Sequence, residues 1–381
     1  MTVDELREEA RRWLSMVEIP DEPLDLTPRF RVLRDWQRTL AEAGWLGIDW
    51  PEDAGGRGLT PEHQLAFYQE LARAAAPAPI GLIGLGVVGP SIIEHGTQEQ
   101  RQRLVPPLLS GDEIWCQGFS EPDAGSDLAA QNTRAVLDGD DFVITGQKVW
   151  TSWAHEAAWC AVLARTDPDA PKHRGISYIL VPMELPGITV RPLVQLTGDA
   201  EFNEVFFDEV RVPRSNLLGE LNQGWQIAMH TLGHERGSYT VRRQAEIQAV
   251  FWRLLDQLGA GRDQAVSYPE STLERLGESL VMLRALEAQT RGTIGRLAGE
   301  SGPSALDSVD KLLLNEVEQR VAANTFDLLG PHRIASGTPY GLDAERWLHG
   351  YLFSRAISIY GGTSQIQRNI VAERQLGLPK G

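Results

Sequence analysis

Arg134-Ala-Val-Leu-Asp-Gly-Asp-Asp-Phe-Val-Ile144 holds two short runs of strand-forming residues around Asp138-Gly139-Asp140. Asp-Gly supplies the left-handed backbone that joins antiparallel strands tightly, so the stretch predicts a β-hairpin. What lies on either side of it decides the fold. Upstream, from Thr2 to about Gly111, the apolar spacing is helical. Thr27-Pro28 opens one helix as N-cap and first residue, Phe30, Leu33, Trp36 and Leu40 form one stripe, and Gly44 ends it; Thr60-Pro61 repeats the device. Downstream, apolar runs at 158–164, 176–181, 188–190 and 202–210 read as further strands, and strands this short and numerous predict a small barrel or sandwich closing near Val212-Pro213. From Gln223 the helical period returns. Leu273, Leu276, Leu280, Leu283, Thr290, Ile294 and Leu297 form one seam and Leu306, Val309, Leu313, Val317 and Val321 another, with Gly299 to Ser304 short enough to join antiparallel neighbours. The expected fold class is therefore α+β multidomain: an N-terminal helical domain (1–113), a middle small β-barrel or sandwich (114–213) and a C-terminal four-helix bundle (214–381).

The chain's 381 residues fit two or three domains at roughly 150 residues each. Its net charge of −16 repels phosphate backbones and anionic lipid, which argues against nucleic-acid or membrane-surface partners. Cys116 and Cys160 are too few for a disulfide framework and lack zinc-site neighbours, so a reducing, cytoplasmic setting is expected. The acidic, helix-patterned N-terminus has no signal-peptide layout. Ala74 to Ile93 is uncharged, but Pro77, Pro79, Pro90 and its glycines predict a buried, broken helical segment and no membrane span. Within it, Gly84-Leu-Gly86-Val-Val-Gly89 matches a dinucleotide-binding pattern without a strand before it. His230 and His234 stand four apart beside Glu235, but the His-Glu-x-x-His order of a zinc helix is absent, and no metal is expected.

Three segments carry chemistry. Ser120-Glu-Pro-Asp-Ala-Gly125-Ser126-Asp127 is a turn-rich loop leaving a strand. Lys148-Val-Trp150-Thr151-Ser152 sets an indole beside two hydroxyls. Tyr360-Gly361-Gly362-Thr363-Ser364-Gln365-Ile-Gln-Arg-Asn-Ile-Val-Ala-Glu373-Arg374 is a Gly-Gly loop opening a helix, with Thr363 as N-cap. Singly, each is a surface turn, a strand end or a helix start. In this order, inside a helical, β, helical layout, they resemble the acyl-CoA dehydrogenase family along essentially the whole chain.

That resemblance implies FAD held without a dinucleotide-binding α/β domain, and oxidation of an acyl-CoA thioester to the trans-2-enoyl thioester. It implies that Phe119 and Ser120 on the strand and Ser126 in the loop face flavin or substrate, that Trp150 and Ser152 lie along the isoalloxazine ring, and that Thr363 and Gln365 contact the adenine-ribose-pyrophosphate side. An indole beside hydroxyls suits a ring that needs a stackable wall and hydrogen-bond donors. The α-proton requires a carboxylate base. Many members of the family have a glutamate where this chain has Gly361; a second placement, in isovaleryl-CoA and long-chain enzymes, matches Leu232-Gly-His-Glu235-Arg236 in its Leu, Glu and Arg. Glu235 is then the base, Arg236 helps place substrate, and the Gly361 N–H holds the thioester carbonyl. Alone, His-Glu-Arg reads as a solvated helix face.

Two departures concern assembly. The Arg-x-x-Phe-Gly segment that reaches a neighbouring subunit's FAD is absent between Asp256 and Gly277, and Asp327-Leu-Leu-Gly330-Pro331-His332 stands where a Gln-x-x-Gly-Gly loop is usual. The resemblance then extends to heterotetrameric acyl-CoA dehydrogenases of steroid side-chain degradation, with a homotetramer as the other arrangement and an electron-transfer flavoprotein-like acceptor as partner. A non-catalytic subunit of such a heteromer, or a flavin oxidase or monooxygenase on the same scaffold, are the competing readings.

Overall fold

The structure, a computed structural model, describes residues 1–260, 270–298, 304–328 and 343–379, without the side chains of 230, 231, 233–238, 257, 259, 260, 297 and 298. The elements are α1 (Val3–Leu14), α2 (Leu26–Glu42), α3 (Pro61–Arg73), α4 (Gly89–His95), α5 (Gln98–Ser110), β1 (Trp115–Gly118), β2 (Arg134–Asp138), β3 (Asp141–Ser152), β4 (Trp159–Arg165), β5 (Ile176–Pro182), β6 (Ile188–Leu193), β7 (Phe202–Pro213), β8 (Leu217–Leu218), α6 (Gly224–Ala260), α7 (Glu270–Ala298), α8 (Leu306–Leu328), α9 (Ala344–Phe353) and α10 (Ser364–Ile370). They form two compact units: a sheet-bearing one of residues 20–59 and 77–235, and a helical one of residues 1–19, 60–76 and 236–381. Among the described residues no helix is long and apolar enough to cross a membrane.

In the sheet-bearing unit the strands run in the order β6-β7-β3-β2-β4-β5-β8, with β1 alongside β4. The hairpin forms as read: β2 and β3 pair from Arg134↔Thr145 to Asp138↔Asp141 around Gly139 at φ +63°. Alternation along the strands sorts two cores. Trp115, Ala161, Leu163, Tyr178 and Leu180 pack with Val88 and with Ile92, Leu104 and Leu108 of α4 and α5. Cys116, Cys160, Val162, Ile179 and Val181 pack with Phe142, Ile144, Val205, Phe207 and Val210. The central strand β4 is thus buried from Cys160 to Ala164, as a strand covered on both faces must be. The segment is irregular from 74 to 81 and helical from Leu82, with a π-helical turn at Gly84–Val88 running into α4, and it holds no strand-to-helix phosphate loop.

Some helix expectations need correction. α2 starts at Leu26 with Asp25 as its N-cap, so Pro28 sits at the third helical position; the first turn's N–H groups have no intrahelical partner, and a residue without one fits there. Thr60-Pro61 does open α3 as N-cap and first residue.

In the helical unit, α7 and α8 are antiparallel: Asn324 Nδ2 donates to Arg275 O at one end, and Gln289 Nε2 to Asp310 Oδ1 at the other. Leu276, Leu283 and Leu286 meet Leu314, Val317 and Val321 there. The joining segment, 299–303, lies outside the described residues. On α8 the apolar stripe holds in part: Val317 and Val321 are buried at this seam and Leu313 packs against it. Val309 and Leu313 are only partly buried, while Asp307, Asp310, Lys311 and Glu318 are buried. Their charges are met: Asp307 and Asp310 by Arg296 Nη2 at 3.3 and 3.4 Å, with Thr293 also donating to Asp310, Lys311 by Ile357 O at 2.8 Å, and Glu318 by both Nε and Nη2 of Arg243 at 3.0 and 2.6 Å. Paired polar groups thus share the buried face of α8 with Val317 and Val321.

Candidate active site

In the sheet-bearing unit, β1 ends at Gly118, so Phe119 and Ser120 follow the strand and do not lie on it. The Phe119 ring is 4% exposed and edge-on to Tyr178 at 5.7 Å, so what it can offer a ligand is its backbone. Ser120 is half-buried, and its carbonyl accepts from Val149 N–H at 2.9 Å. That bond joins the loop to β3 where the β3–β7 register slips between Lys148 and Thr151. The slip turns Trp150 out: φ is +60° and the side chain is 61% exposed, edge-on to Phe202 at 6.1 Å. A bulky residue in the left-handed region is a local strain imposed by its surroundings, and such strain clusters at binding sites. Next to it, the Thr151 hydroxyl is buried without a hydrogen-bond partner, and Ser152 is half-buried. Ser126 is exposed in the loop. Phe119, Ser120, Trp150 and Ser152 are thus brought to one end of one sheet.

Beneath this wall is a group that the sequence reading missed. Lys148 is fully buried, and its ammonium donates to Phe119 O (3.1 Å), Glu121 Oε1 (2.7 Å) and Gln131 Oε1 (2.9 Å). Glu121 also accepts from the backbone N–H groups of Asn132 and Thr133 at 2.6 and 2.9 Å. Burial pushes the Lys148 ammonium down to about 8 against the pull of Glu121. For Glu121 burial acts upward, but the Lys148 charge and the backbone donors outweigh it and hold the carboxyl low. The signal was in the alternation: Lys148 shares the inward parity of Phe142 and Ile144, where an unpaired cation is not tolerated.

In the helical unit, Gly361 and Gly362 take φ of +64° and +87°, and Thr363 caps α10 by accepting from Ile366 N–H at 3.3 Å. Gln367, buried behind the turn, donates to Gly361 O at 2.8 Å; a side chain at 362 would be strained at φ +87° and would put Cβ 2.5 Å from that same Nε2, displacing it. Lys311 lies under Gly361, its ammonium 4.6 Å from the Tyr360 ring centre and 5.5 Å from that of Tyr239. The two tyrosines share a hydroxyl–hydroxyl bond, and burial raises Tyr239 to about 12. Gln365 is exposed. Lys311 and Tyr239 were not legible as parts of the turn, because they reach it from α8 and α6. An open groove of about 590 Å³ beside α10 is lined by Val309, Leu313, Asn315, Gln319, Ser364 and Arg368 among others.

Glu235 lies within α6, but its side chain and those of Arg236, His230 and His234 are outside the described residues, as are the departures at 261–269 and 329–342. Among the described residues no cluster of metal-ligating side chains occurs.

Models of the acyl-CoA dehydrogenase N-terminal, middle and C-terminal domains match residues 2–112, 116–210 and 222–376. Acyl-CoA dehydrogenase IpdE1 of Mycobacterium tuberculosis is 44% identical over 352 residues, which cover 92% of this chain and 89% of that protein. The chain belongs to the acyl-CoA dehydrogenase family. Among solved structures, the Tcur3481-Tcur3483 steroid ACAD superposes with a TM-score of 0.87 at 30% identity, over 100% of this chain and 98% of that one. The ChsE4-ChsE5 complex of Mycobacterium tuberculosis does so with a TM-score of 0.79 at 29% identity, again over 100% and 98%. The family is one of FAD-dependent oxidoreductases that dehydrogenate acyl-CoA thioesters. The residues present fit that cofactor: an outward indole held by a strained backbone, flanked by Ser120 and Ser152 and by the unpartnered Thr151 hydroxyl, matches a flat ring with hydrogen-bonding edges.

Proposed function

We propose that this chain carries out FAD-dependent α,β-dehydrogenation of an acyl-CoA thioester whose acyl group derives from a steroid. The observation that carries the reaction is the wall at the end of β3, where Trp150 is turned out beside Ser120, Thr151 and Ser152. The steroid assignment is supported by the name of the structural relative described above. We assign Phe119 (through its backbone), Ser120, Trp150 and Ser152 to the flavin ring, Thr363 and Gln365 to the adenosine-pyrophosphate half, and Ser126 and Arg236 to substrate. When bound, FAD supplies the acceptor for the hydride that leaves the β-carbon. Glu235 takes the α-proton as a carboxylate. The Gly361 N–H donates to the thioester oxygen, where negative charge builds as the proton departs, so a fixed donor there lowers the barrier. Trp150 excludes water from one side of the reacting carbons.

The chain divides, in this reading, at 113/114 and 213/214. Its working form is an α2β2 tetramer with a second acyl-CoA dehydrogenase-like chain, supported by structural relatives whose names each give two components. An electron-transfer flavoprotein-like partner receives the electrons. A reducing, cytoplasmic setting is supported by the buried free thiols of Cys116 and Cys160, which face each other across β1 and β4. The test is anaerobic titration of the FAD-reconstituted protein with steroid-ring and straight-chain acyl-CoA thioesters. Bleaching of the flavin band by the steroid thioester supports the whole reading, bleaching by straight chains alone overturns the substrate class, and bleaching by none overturns the activity.

A further inference from the structure

We propose that the buried Lys148–Glu121 pair is a positioning device that fixes the flavin-facing wall; the proposal rests on reading that wall as an FAD site. Lys148 stands one residue before Val149 and two before Trp150. Its three N–H bonds go to three different pieces of chain: the carbonyl of Phe119 at the end of β1, the carboxylate of Glu121 in the loop, and the side chain of Gln131 at the loop's far end. Glu121 completes the arrangement by accepting from Asn132 and Thr133 N–H, while its own backbone pairs with Ala124 in both directions at 3.0 and 3.1 Å. Ser120, which bears the hydroxyl of the wall, is therefore held between two residues, Phe119 and Glu121, that are both anchored on one ammonium. The residue after Lys148 adds the Val149 N–H to Ser120 O bond. Position 118 is shaped for the same purpose: a Cβ there would lie 2.9 Å from Cys160 Sγ and 3.3 Å from Lys148 Cγ, so glycine lets β1 close over the lysine stem.

Stability alone does not account for such a pair. Removing two charges from water costs about as much as their attraction returns, and an apolar pair of similar volume is often as stable or more so. An apolar pair, however, cannot direct the Phe119 carbonyl or the 131–133 backbone. The function of Lys148 and Glu121 is thus to hold Ser120 and Trp150 in one fixed relation, so that FAD meets a wall already formed.

The experiment uses the full chain, with FAD affinity measured by titration of the apoprotein, the vibronic structure of the bound flavin spectrum, and chemical denaturation of the apoprotein. In the double variant Lys148→Met with Glu121→Met, which leaves Phe119 O, Gln131 Oε1 and the Thr133 N–H without their partners, the apoprotein is expected to unfold cooperatively at a lowered denaturation midpoint, while FAD binds at least tenfold more weakly and the flavin spectrum loses its fine structure. Gln131→Leu serves if the double variant does not fold. Its amide nitrogen is already buried without a partner, so leucine removes that orphan and one anchor of Lys148 while leaving one ammonium N–H unpaired; the apoprotein is expected to fold with a lowered denaturation midpoint, and FAD affinity to fall several-fold. Wild-type FAD affinity and spectrum in a folded variant, whichever of the two is tested, would overturn the positioning role. Failure of the wild type itself to bind FAD would instead overturn the flavin reading.

Discussion

Replacing Trp150 separates binding from folding. The side chain is 61% exposed, so its removal takes little from the core. A tryptophan presents up to about 250 Å², of which about 150 Å² is therefore free. Covering roughly half of that by a bound ring, at about 25 cal/mol per Å², contributes about 2 kcal/mol. Trp150→Ala should then weaken FAD binding about 30-fold while apoprotein stability stays within about 0.5 kcal/mol of the wild type. Trp150→Gly refines the test. At φ +60° a glycine relieves about 1–2 kcal/mol of left-handed strain, which offsets its greater freedom in the unfolded chain, so it should be at least as stable as the alanine variant. Flavin titration and urea denaturation of the two apoproteins measure both quantities. An alanine variant that keeps FAD affinity within twofold, or that loses more than about 2 kcal/mol of stability, would refute the idea that the bulge holds the indole out for a ligand.

In the helical unit, Arg243→Met leaves the Glu318 carboxylate, 4% exposed, without its two-pronged partner, and should cost about 3 kcal/mol in urea denaturation; a loss under about 1 kcal/mol would show that the pair is dispensable. Glu201 gives a pH signature. Burial, against the opposing pull of Arg29, raises its carboxyl from 4.5 to about 7. Because the folded value exceeds the unfolded one, its contribution to stability is full below 4.5 and disappears as pH rises through about 7. Thermal melts between those limits should therefore show a downward slope that Glu201→Gln flattens, and an unchanged slope in the variant would exclude Glu201 as its source. For assembly, the chain made alone should retain FAD weakly by flavin absorbance and form no stable tetramer by light scattering, with tight FAD binding and a tetramer both gained when a second acyl-CoA dehydrogenase-like chain is added; a stable homotetramer with one tightly held FAD per subunit would rule the heteromer out.

The sequence made legible whatever rests on local chemistry. Asp138-Gly139 announced the hairpin, Thr60-Pro61 the start of α3, and the three quoted segments the family. Features that arise from burial of charge were hidden. On α8 the visible stripe placed Val317 and Val321 at the seam but gave no sign of the charges buried beside them, because Asp310, Lys311 and Glu318 find partners on α7, on α6 and at Ile357 that no periodicity reveals. Likewise the sequence set the Trp150 indole beside two hydroxyls and the resemblance laid it along the flavin ring, but neither showed that it turns outward. Its outward turn depends on a register slip between β3 and β7, which is a property of the pairing and not of either strand.

The central claim, that Glu235 removes the α-proton beside an FAD held by the Trp150 wall, is tested most directly by single-turnover flavin reduction in Glu235→Gln. The amide keeps the shape of the carboxylate but cannot accept the proton. The account predicts FAD bound as in the wild type, acyl-CoA still bound, and no bleaching of the flavin on the time scale of wild-type turnover. Rapid bleaching in the variant would contradict it and assign the base to another residue.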